Sequence, residues 1–173
     1  MANKIEAALN RLVGDLRAAH GENLASIVLY GSVAAGDHVE LHSDHNLLIA
    51  LHRIALADLR LSQTTLRDWL ALGQPMPVYF SVEELSHAAD VFPIEFLQME
   101  QARKILYGSD PFELVEISTA NLRHQTEYEL RTKLIQLRRL YIPASTSVEK
   151  MSALLRDSLA SFAALFRAVL ILL

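Results

Sequence analysis

The 173-residue chain has no cysteine. That excludes disulfides, thiolate zinc centres and a cysteine nucleophile, and it fits a reducing compartment. Glycine and proline are sparse, at 6 and 5 residues, which is too few for a loop-built or low-complexity protein. No hydrophobic run is long enough to span a bilayer. The greasiest stretch, 162–173, holds Arg167 and covers about half of the ~20 residues a membrane helix needs. An excess of basic charge is missing as well. The formal charge of −4 argues against a broad nucleic-acid surface and leaves only a local basic groove open. Met1-Ala2-Asn3-Lys4-Ile5-Glu6 lacks the basic-then-apolar order of an export signal. These absences lead to the expectation of a cytoplasmic protein with no membrane attachment.

Half of the chain is apolar, so a true core is within reach. Ile5, Leu9, Leu12, Val13 and Leu16 recur at helical spacing and predict an amphipathic helix over 4–19, stopped by His20-Gly21. Short apolar runs at 26–30 and 46–51 predict buried strands of a sheet covered by helices. Residues 56–72 read as a helix with Leu59, Leu66, Trp69 and Leu70 inward, and 76–80 as a strand. Ser81-Val82-Glu83-Glu84 is a helix start. Residues 92–99 read as a strand containing Glu95, and 100–106 as a short helix. Gly108-Ser109-Asp110-Pro111 is the strongest punctuation and sets the expected boundary between a domain at 1–108 and a helical one at 112–173. In the latter, helices are expected over 118–141, ended by Pro143, and over 147–173. Glu127 with Arg131 and Glu129 with Lys133 are its expected ion pairs. The class is therefore α/β, a mixed sheet flanked by helices and followed by a C-terminal α-helical segment. Val169-Leu170-Ile171-Leu172-Leu173 has no cap and no polar residue, so a second copy or further chain is expected to cover it.

The chemistry-bearing pattern is Leu29-Tyr30-Gly31-Ser32-Val33-Ala34-Ala35-Gly36, followed by Ser43-Asp44-His45-Asn46-Leu47-Leu48-Ile49. A strand ends in Gly-Ser, a small-residue turn follows, and an acid opens the next strand. Glycine permits close backbone approach to phosphate, and the Ser32 hydroxyl can donate to a phosphate oxygen. Residues two apart on a strand share a face, so positions 44 and 46 act together. The plainer alternative is a tight turn at Gly31-Ser32 and a turn residue at Asp44. His38, His42 and His45 cluster near Asp37 and Asp44 but match no closed zinc pattern. Arg131, Lys133, Arg138 and Arg139 form either a group that binds phosphate or an acidic partner, or a solvated helix face, which the paired Glu residues favour.

This set resembles the nucleotidyltransferase superfamily, in its minimal, aminoglycoside-modifying-like branch. The resemblance covers about residues 24–108, with Ile105-Leu106-Tyr107-Gly108 similar to the close of that domain. It implies a Mg²⁺-dependent transfer of a nucleoside monophosphate from a nucleoside triphosphate, ATP first, to a hydroxyl on a small-molecule or protein acceptor. Gly31, Ser32 and Asn46 would bind nucleotide. Asp44, Glu95 and Asn46 would bind metal, with Asp44 and Glu95 catalytic and Glu95 the general base. The departure from the pattern is Asn46, where the family carries a second carboxylate. An amide brings no negative charge, so weak metal binding is expected. The alternative is an inactive member acting as a nucleotide-binding or protein-interaction module. The helical partners of minimal nucleotidyltransferases use an Arg and a His several residues apart. Here Arg123 and His124 are adjacent, so the C-terminal helices do not read as a ribonuclease, and a homodimer through them is the expected assembly.

Overall fold

Strand Leu24–Tyr30 (β1) lies at the centre of a four-stranded sheet with Asn46–Leu51 (β2) on one side. Arg103–Gly108 (β4) flanks β1 on the other side, and Val78–Ser81 (β3) completes the order β3-β2-β1-β4. The computed structural model describes residues 2–36, 44–113 and 115–173. β1 runs antiparallel to β2 and β4, whereas β2 and β3 are parallel. The parallel pair needs a crossover, which is built from helices Leu56–Thr65 (α3) and Arg67–Ala71 (α4). These replace the single helix expected over 56–72, and Leu59 is exposed rather than inward.

Helix Ala2–His20 (α1) buries Leu9, Leu12 and Leu16 against Ile27, Leu29, Leu47, Ile49 and Leu51, with Leu66 and Trp69 from the crossover. Val28 and Leu48, on the other sheet face, are fully buried too. Burial on both faces is the reason β1 and β2 read as near-continuous apolar runs. A single helical turn, Ser32–Ala35 (α2), joins β1 to the segment before β2.

Two elements reverse the sequence expectation. Residues 92–99 do not form a strand. Pro93–Gln101 is a helix (α6), preceded by helix Val82–Ala88 (α5). Pro93 stands at the first helical position, where its fixed φ suits a helix and its missing N–H costs nothing. The expected helix over 100–106 is instead mostly β4. Pairing with the open edge of β1 overrides the helix-forming local composition.

The chain divides into two compact units. The first comprises Met1–Ala88 and Leu97–Val115, and the second Ala89–Phe96 and Glu116–Leu173. The second is dominated by helices Thr119–Ala144 (α7) and Val148–Leu172 (α8), which pack on each other. Pro143 lies inside the last turn of α7 and does not end it at residue 141. Glu127 pairs with Arg123 at 3.9 Å rather than with Arg131. No helix among the described residues is long and apolar enough to cross a membrane.

Candidate functional site

The candidate site lies at the end of β1, in the first unit. Leu29 and Leu47 belong to the core cluster, so strand alternation turns their neighbours Tyr30 and Asn46 to the opposite face. The register places these two residues directly opposite each other. The chain then leaves β1 through Gly31, at φ +87° and ψ −158°, a conformation that an L side chain rarely adopts. The Gly31 N–H donates to the Ala102 carbonyl at 2.9 Å, which ties the turn to the start of β4. Val33 and Ala34 pack onto the core cluster, and Gly36 closes α2 in the left-handed region. Ser32 is left exposed at the head of this turn.

Asn46 is the residue that meets the turn. Its Nδ2 lies 3.3 Å from where a Cβ on Gly31 would stand. The structure therefore brings Gly31 and Asn46 together, with Ser32 next in the chain. Asp44 stands two residues before Asn46, outside β2 and exposed. His45 turns the other way: its ring meets Trp69 edge-on at 6.1 Å, and its backbone N–H donates to Gln74 Oε1 at 3.0 Å. Asp37, His38, His42 and Ser43 lie outside the described residues.

Glu95 requires a correction, because it sits in the first turn of α6 and not on a strand. Its carboxylate accepts from Gln125 Nε2 at 2.8 Å, while Gln125 Oε1 accepts from the Ile94 N–H at 2.8 Å. Within the second unit, one amide of α7 thus caps the start of α6 and holds the carboxylate next to it.

Sequence reasoning missed Tyr30 and Arg103. They complete a cross-strand row with Asn46, because Tyr30 faces Asn46 on β2 and Arg103 on β4. Burial pushes the Tyr30 hydroxyl above its ordinary pKa of 10.0. Arg103 is engaged by Asp110, with Nη2 at 2.8 Å and Nε at 2.9 Å from Oδ2, and its guanidinium lies 5.5 Å from the Phe112 ring centre. The signal for Arg103 was the alternation through Ile105 and Tyr107, hidden by the helix assigned there.

A divalent ion is what the family resemblance implies at this place, and the donor set does not fit one. Among the described residues, no three His, Cys, Asp or Glu side chains gather where they could hold a metal. Asn46 supplies an amide, and Asp44 is the one carboxylate the motif places beside it.

No family model and no curated protein matches the chain. Its fold is similar to that of spectinomycin adenyltransferase AAD(9) from Enterococcus faecialis, solved with ATP and spectinomycin. The TM-score is 0.55 at 15% identity, over 79% of this chain and 68% of that one. A toxin–antitoxin structure with AMP-PNP (TM-score 0.39, 18% identity, 73% of this chain and 94% of that one) and a mutant MntA–HpeT toxin–antitoxin structure (0.38, 16%, 73% and 93%) match too loosely to bear on the fold. The chain has the nucleotidyltransferase fold.

Proposed function

We propose that the chain binds a nucleoside triphosphate, ATP first, at the Gly31-Ser32 turn. The observation that carries this reading is the side-chain-free Gly31, held open at positive φ with the Asn46 amide against it. This turn sits on a fold whose solved neighbour was crystallised with ATP. A glycine with no side chain, the exposed Ser32 hydroxyl and a neutral amide donor suit phosphate oxygens. A cytoplasmic setting, where nucleotide is plentiful, goes with it.

The fuller reading is nucleotidyl transfer to a hydroxyl of a small molecule or protein. It needs an ionised group to take the acceptor's proton and charge stabilisation at the phosphorus. Asp44 and Glu95 are its candidates. Asp44, exposed beside β2, favours it. Asn46, which carries no charge, and Glu95, already bonded to Gln125, favour the binding module instead. Binding without turnover is therefore the better-supported function.

Thermal unfolding with and without ATP tests the binding. At a hundredfold excess over the dissociation constant, ATP is expected to add ~2.7 kcal/mol of stability. Gly31→Ala, which puts a Cβ against Asn46, is expected to abolish that gain. An identical melting curve with and without ATP would overturn the reading. Incubation with labelled ATP and candidate acceptors then separates binding from transfer, with no labelled product expected.

A further inference from the structure

The charge around Asn46 decides how a triphosphate is met. No strand of the sheet carries an Asp or Glu: β2 reads Asn-Leu-Leu-Ile-Ala-Leu, β3 beside it Val-Tyr-Phe-Ser, β1 Leu-Ala-Ser-Ile-Val-Leu-Tyr and β4 Arg-Lys-Ile-Leu-Tyr-Gly. The cross-strand row next to the turn is Asn46, Tyr30 and Arg103. Of these, Arg103 is neutralised by Asp110 at 2.8 Å, and burial keeps Tyr30 neutral. Asn46, beside the turn, is neutral by nature.

Paired carboxylates facing a triphosphate repel it strongly at close range. A divalent ion removes that repulsion by binding both, which is why magnesium is held by one or two carboxylates together with phosphates. A neutral row needs no such intermediary. The –NH₂ of an asparagine donates directly to an anionic oxygen, a role closed to an ionised carboxylate. Asp44 is exposed, where water and salt screen its charge.

We infer that the Gly31–Asn46 site holds the polyphosphate of its nucleotide without a divalent ion, with the Asn46 amide as direct donor to a phosphate oxygen. The inference rests on the nucleotide-binding reading and adds to it the form of the ligand, the metal-free polyphosphate. The mismatch between the donor set and the metal of the resembled family is then the working arrangement of this chain.

Calorimetric titration of ATP into the full chain, once with magnesium chloride and once with EDTA, is the test. The two dissociation constants are expected to agree within about threefold, a difference of ~0.7 kcal/mol. Asn46→Asp restores the charge, so its affinity in EDTA is expected to fall about tenfold or more and to recover with magnesium. Asn46→Ala is expected to weaken binding equally in both buffers. Wild-type binding that appears only with magnesium would overturn this inference and leave the nucleotide reading standing. Binding in neither buffer would overturn both. An Asn46→Asp protein that binds like wild type in EDTA would also overturn the inference. If that variant does not fold, the two wild-type titrations decide alone.

Discussion

Gly108 closes β4 at φ +77°, and a Cβ there would overlap the backbone carbonyl of Ala25. No flexible side chain can yield, so strain and overlap add. Gly108→Ala is expected to cost roughly 2–4 kcal/mol, read from the urea midpoint at unchanged slope. A cost under ~0.5 kcal/mol would mean that this end of the β1–β4 pair is not held as described. His20 offers a second test. It is buried in the last turn of α1, with Nε2 3.0 Å from Ser62 Oγ, and that hydroxyl donates to the Asp58 carbonyl at 3.1 Å. Burial lowers its pKa below 6.5, opposed in part by the charge of Asp58. The unfolded chain thus takes up the proton more readily than the folded one. The His20 contribution is complete above about pH 6.5 and is lost as pH falls below it. The melting temperature is expected to drop on acidification in that range, and His20→Gln is expected to flatten the drop. An unchanged slope in the variant would assign the acid sensitivity elsewhere.

Helix starts were the most legible elements, because capping is local chemistry. Ser81 was expected to open a helix, and it does so as a reciprocal box: the Glu84 N–H reaches Ser81 Oγ at 3.1 Å, and the Ser81 N–H reaches Glu84 Oε2 at 2.7 Å. Ser81→Ala is expected to cost ~1 kcal/mol in a denaturant titration, and no measurable loss would mean that packing alone holds α5. Ser118 and Ser147 cap α7 and α8 without the returning bond, each hydroxyl accepting an N–H at 3.4 Å. The α6–β4 region failed for the opposite reason. Ile94 and Phe96 alternate around Glu95 as a strand would, yet both are buried on a helix. Residues two apart lie on opposite sides of a helix, so α6 is buried on two sides, and a short run buried that way reads as a strand as readily as a helix; the edge of β1 recruits the next segment as β4.

The helical unit keeps much apolar surface outward. On α8, Val148, Leu155, Leu159, Phe166 and Leu170 are 57–87% exposed, at spacings that follow one side of a helix. Met151, Leu154, Leu165 and Ala168, on the adjoining side, are half-buried or buried. A helix with two apolar sides belongs to a bundle of more than two helices. A second copy packing on this outward side would bury it, so we propose a dimer through α8. Light scattering is expected to give twice the 19.3 kDa chain mass. Leu159→Lys with Phe166→Lys is expected to return it to one. A monomeric wild-type protein would overturn the dimer.

The order of strands and helices through residue 88, the Gly31-Ser32 turn and the α-helical character of the last third were all readable along the chain. Each depends on residues within a few positions of one another: an apolar period, a glycine, a capping serine. Three matters depended on contacts between distant segments. The sheet edge made residues 103–108 a strand, which put Arg103 in register with Tyr30 and Asn46. Gln125 on α7 took the Glu95 carboxylate that local sequence offered to the site. The close approach of Asn46 to Gly31 across the β1–β2 pair put the amide beside the Gly31-Ser32 turn. Local periodicity reports which face is buried. It does not report which neighbour buries it, and the charge of a site built between strands is set by that neighbour.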